Sequence, residues 1–62
     1  MSLSKGDKAT LRHAAKLLSG LAADIFASNQ VDGKLREARD IREHADIAGT
    51  AARLKEIARY GE

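Results

Sequence analysis

The chain has no cysteine and no proline. Lack of cysteine excludes disulfides and thiolate zinc sites, and it fits a cytosolic protein. Lack of proline removes the strongest helix breaker. Aromatic residues are nearly absent too, with only Phe26 and Tyr60. No apolar run approaches the roughly 18 residues needed to cross a bilayer, so no membrane span is expected. The opening stretch from Met1 to Gly6 lacks the charged-then-apolar layout of a secretory signal.

What is present is helical material. Ala, Leu, Arg, Lys, Glu and Asp dominate, and these residues, Asp apart, form helices at little cost. The 62 residues make one domain spanning residues 1–62. A chain this short buries only about 60% of the surface that its unfolded form exposes. Such chains recruit a disulfide, a metal or a partner chain. With no cysteine, and with His13 and His44 the only histidines, a second copy of the chain is the support to expect.

Ser4 can cap a first helix, with Asp7 three residues on completing a capping box. Leu11, Ala14, Leu18, Leu21 and Ile25 then follow a three-four spacing, a heptad seam. Ala15 and Ala22 flank it on one side and Leu17 on the other. The apolar arc spans about 180°, wider than one neighbour requires. That width predicts two neighbours, as in a four-helix bundle.

The pattern stops at Ser28-Asn29-Gln30, where Asn29 can end the helix in a left-handed conformation. Val31-Asp32-Gly33 reads as a turn, with Gly33 free to adopt positive φ and Asp32 able to cap the next helix. The second half carries two patterns. Ile47, Ala51, Leu54 and Ala58, joined by Ile57, form one seam. Leu35, Ala38, Ile41, Ala45 and Ala48 point more than 90° away. A continuous helix, a break at Gly49, or a loop from Lys34 to Arg39 would each account for this. A helix running through Gly49 is favoured, since one glycine costs only about 1 kcal/mol, with its start anywhere from Lys34 to Asp40. Gly61 is a plausible stop.

The expected fold is all-α: an antiparallel αα-hairpin dimerising into a four-helix bundle. The first helix should cover about residues 4–29, the turn about 30–33 and the second helix about 34–60. Leu11, Leu18, Leu21, Ile25, Ile47 and Leu54 are its expected oligomer core.

Charge is divided unevenly, although the chain carries only +2 overall. Lys5, Lys8, Arg12 and Lys16 form a stripe on the first helix, close to an N-terminus that favours acids instead. In an antiparallel hairpin Arg53, Lys55 and Arg59 arrive at the same end. These seven residues are a candidate surface for an anion or a protein partner, with nucleic acid as one class of ligand. The turn end is mostly acidic. A solvated face, or a charge dipole guiding antiparallel assembly, would account for the same pattern.

Around the turn end, Arg36 and Asp40, Arg39 and Glu43, and Arg42 and Asp46 stand four apart, a spacing suited to ion pairs. Asp40 and His44 are also four apart and read as a half-buried histidine beside an acid. There is no nucleophile motif, glycine-rich phosphate loop or two-histidine metal signature. A bundle of this size has little room for a pocket of the usual size, about 300 Å3. No enzyme activity, metal, cofactor or small-molecule substrate is therefore expected.

Two resemblances add expectations. His44-Ala45-Asp46 and Ala58-Arg59-Tyr60-Gly61-Glu62 resemble segments of the Rop family of plasmid copy-number regulators. That family forms dimers of αα-hairpins that bind paired RNA loops through their first helices. The resemblance implies a dimeric hairpin of plasmid or phage type. The aromatic residue which the family places on its RNA-facing helix has no counterpart near Arg12 to Lys16. Leu11-Arg12-His13-Ala14-Ala15, Leu21-Ala22-Ala23-Asp24, Asn29-Gln30-Val31-Asp32-Gly33 and Ala51-Ala52-Arg53-Leu54 are similar to small prophage-encoded helical proteins of unknown function.

Overall fold

The computed structural model describes residues 2–60. The proposed stop at Gly61, and Glu62 beside it, lie outside the described residues.

Helix α1 runs from Lys5 to Asn29. Its start is fixed by the sequence signal expected there. The Ser4 hydroxyl accepts from the Asp7 N–H at 3.0 Å, and the Asp7 carboxylate accepts from the Ser4 N–H at 3.3 Å. Two N–H groups that the first helical turn cannot satisfy are thus bonded reciprocally. Asn29 remains helical rather than ending the helix in a left-handed conformation. Gln30 is the extended cap instead, and its N–H donates to the Phe26 carbonyl.

The connection is more ordered than a simple turn. Two short strands, β1 (Gln30–Val31) and β2 (Lys34–Leu35), pair antiparallel with Gln30 opposite Leu35 and Val31 opposite Lys34. Asp32 and Gly33 join them with φ of 54° and 80°. Positive φ at both central residues marks the type I′ turn, whose twist matches paired strands. Asp32 is therefore a turn residue and not a helix cap. The Gln30 side-chain oxygen accepts from the Gly33 N–H at 2.8 Å, which holds the turn closed. A Cβ at Gly33 would meet nothing within 4 Å, so alanine there is disfavoured by backbone conformation alone. Gly33→Ala is expected to destabilise the fold by about 1 kcal/mol, read as a lower thermal midpoint by circular dichroism.

Helix α2 runs from Ala38 to Tyr60 and passes unbroken through Gly49. Its start at Ala38 falls within the range from Lys34 to Asp40 that the sequence left open, since Lys34 and Leu35 are taken up by strand pairing. The two helices are about 37 and 35 Å long at 1.5 Å per residue. They lie antiparallel in a rod of 44 × 15 × 14 Å. The αα-hairpin expected from the sequence is the observed architecture. No helix among the described residues is long and apolar enough to cross a membrane.

The interhelical contact is built on small residues. Ala15 and Ala22 from α1, and Ala51 and Ala58 from α2, are buried. Leu11, Leu18, Ile25, Ile47 and Leu54 are half-buried beside them. The stripe on α1 therefore passes through Ala15 and Ala22 rather than Ala14 and Leu21. Alanine lets the two backbones approach toward the close end of the usual 8–10 Å interaxial range. Leucines then close over the flanks.

Candidate interaction surfaces

The expected ion pairs of the turn end do not form. Among the described residues, only Arg36 with Asp32 at 4.0 Å and Arg53 with Glu56 at 3.2 Å come within ion-pair distance. Both pairs are exposed and stabilise little. Asp40 is buried at the third position of α2, seven residues before Ile47 on the same stripe. Its carboxylate stands in the first turn, where the helix dipole favours an anion. No buried oxygen among the described residues lacks a partner, so the Asp40 oxygens keep access to water. His44 is half-buried, as expected, but its ring packs on Phe26. The centroids are 6.0 Å apart and the rings are tilted by 55°. Phe26 is thereby an edge residue of the hairpin near its turn.

Around this contact the hairpin has two unlike faces. At about 100° per residue, Lys5, Lys8, Arg12 and Lys16 lie on one side of the buried stripe of α1. Lys55 and Arg59 lie on the matching side of α2. Their convergence is direct, because Arg12, Lys55 and Arg59 together line one open groove of about 510 Å3. That groove exceeds the pocket size the sequence led us to expect, but it is a surface depression between helices, not an enclosed cavity. Arg53 does not belong to this set. It points to the outer side of α2, pairs with Glu56, and lines a separate shallow depression with Ile57 and Tyr60. Arg59 lays its guanidinium over the Tyr60 ring, 5.3 Å from the centroid.

The opposite side carries several exposed apolar side chains. On the same angular count, Ala14, Leu17 and Leu21 of α1 and Leu54 and Ile57 of α2 lie on this side, with Thr10, Asp46 and Thr50 among them. Leu17 is 62% exposed, Leu21 47% and Ile57 37%. Of the expected oligomer core, Leu11, Leu18, Ile25 and Ile47 are used within the hairpin. Leu54 is shared between the inner contact and this face, and Leu21 belongs to the face alone.

The shape of the molecule carries the same message. The chain exposes 4817 Å2. A compact monomer of its mass, 6.7 kDa, would expose about 3,900 Å2 by the usual scaling of surface with mass. Its radius of gyration is 13.9 Å, against about 10.6 Å for a compact 62-residue domain. No family model, curated protein or solved structure matches this chain.

Proposed function

We propose that this chain is a small non-enzymatic accessory protein of the cytosol that acts by self-association and protein contact. Its functional unit is a homodimeric four-helix bundle. The second copy sits on the face formed by Ala14, Leu17, Leu21, Leu54 and Ile57.

The observation that carries this reading is the size of the surface excess. About 900 Å2 beyond the compact expectation is close to the roughly 800 Å2 that each partner contributes to an ordinary stable interface. Leu17, Leu21 and Ile57 are exposed large apolar side chains that a partner on this side would cover. A second copy is the simplest occupant. It presents the same apolar face, and a twofold arrangement covers both at once. A width of apolar arc suited to two neighbours supports the same conclusion from the sequence side.

A dimer that supports its own fold melts at a temperature that depends on concentration, because mass action favours the associated state. The thermal midpoint should rise by several degrees across a hundredfold increase in protein. A midpoint independent of concentration would count against the proposal.

A further inference from the structure

We propose that the basic face binds the phosphate backbone of double-stranded nucleic acid without reading its sequence. The face belongs to a single hairpin and lies opposite the apolar face. It therefore stays open whether or not the chain dimerises, and this inference stands independently of the one above.

Six cations share the face: Lys5, Lys8, Arg12 and Lys16 from α1, and Lys55 and Arg59 from α2. No carboxylate of the described residues lies within ion-pair distance of any of them, since the pairs that form use Arg36 and Arg53. Among the described residues, the groove at the centre is lined by Arg12, Lys55 and Arg59. Like charges converging from two elements repel each other, and an anion laid between them relieves that repulsion.

The extent of the face selects the anion. Lys5 and Lys16 are separated by about 16 Å along the helix. A duplex carries one phosphate charge per about 1.7 Å of its axis, so a segment of that length presents about ten charges, several of them on the near side. One small anion would satisfy only the groove, whereas a polyanion engages the whole row.

The chemistry of the groove also disfavours two alternatives. A protein partner is held by aromatic and arginine anchors in desolvated pockets, whereas Arg12 and Arg59 line an open groove with no aromatic or apolar side chain among its described lining residues. Single strands are held by bases stacked on aromatic rings. Tyr60 is the aromatic residue nearest this end, and one face of its ring is covered by Arg59.

The test is fluorescence anisotropy with labelled random-sequence DNA and RNA duplexes of about 20 base pairs, titrated from roughly 50 to 200 mM salt. Single-stranded oligonucleotide and polyglutamate are the comparison ligands. Six phosphate contacts predict a slope of log affinity on log salt near −5, a loss of about a thousandfold over that range. The triple variant Arg12→Glu, Lys55→Glu, Arg59→Glu should abolish duplex binding while Arg39→Glu with Arg42→Glu leaves it intact. Should the triple variant fail to fold, Lys5→Gln with Lys16→Gln at exposed positions should reduce the slope by about two. Absence of duplex binding at the lowest salt overturns the proposal, as does binding indifferent to these substitutions. Polyglutamate bound as tightly as duplex would reassign the face to an acidic protein, and preference for the single strand would reject the duplex.

Discussion

Replacing Ala51 with glutamate is expected to unfold the hairpin. Ala51 is only 3% exposed and sits midway along the interhelical stripe. A longer side chain there must push the helices apart, and a carboxylate must enter a contact built for methyl groups. Burial of an unpaired charge costs several kcal/mol. A core this small supplies only about 3–5 kcal/mol in total. The substitution should therefore remove most of the helical circular dichroism signal. Ala52→Glu, one residue along on the exposed side, should retain it. Equal tolerance of both substitutions would mean that the two helices do not pack through their alanines.

The second large effect concerns the apolar face. Leu17→Glu combined with Leu21→Glu places two carboxylates on side chains that a lone hairpin leaves in water. The cost within one chain is therefore small. Across an interface the same charges are desolvated without partners and brought near their symmetry copies. The variant should lose self-association altogether and melt at a temperature independent of concentration. Because an isolated hairpin buries little, its midpoint should also fall well below that of the parent. An unaltered oligomeric state would remove this face from consideration.

Much of this was legible in the residues. The capping box at Ser4 and Asp7, the long first helix and the continuity through Gly49 follow from local rules that packing does not override. The turn was half legible. Asp32-Gly33 announces a tight reversal but leaves the start of α2 open between Lys34 and Asp40; the strand pairing that a type I′ turn imposes on its neighbours decides it. The buried stripe was legible in period and, at Leu11, Leu18, Ile25, Ile47, Ala51, Leu54 and Ala58, in position; only Ala14 and Leu21 were set one residue away from the buried alanines. Ala14 and Ala15, and likewise Leu21 and Ala22, are adjacent apolar choices on one wide arc. Size draws a sequence reading toward Leu21, yet close approach of two helices selects Ala15 and Ala22.

The basic surface shows the same limit. Counting charges by the end of the hairpin groups Arg53 with Lys55 and Arg59. Counting by angle separates Arg53 from Arg59 by about 120°. The structure follows the angle, giving Arg53 to Glu56 and leaving Arg12, Lys55 and Arg59 around one groove. Similarly, the four-residue spacings of Arg39 with Glu43 and Arg42 with Asp46 permit ion pairs without requiring them. In water such pairs gain only a few tenths of a kcal/mol.

Two copies pairing through Leu17, Leu21 and Ile57 is the central claim, and sedimentation equilibrium of the unaltered chain tests it most directly. At micromolar concentration the measured mass should be about 13.4 kDa, twice the 6.7 kDa of one chain. A folded species that remains at the mass of one chain throughout the micromolar range would contradict it.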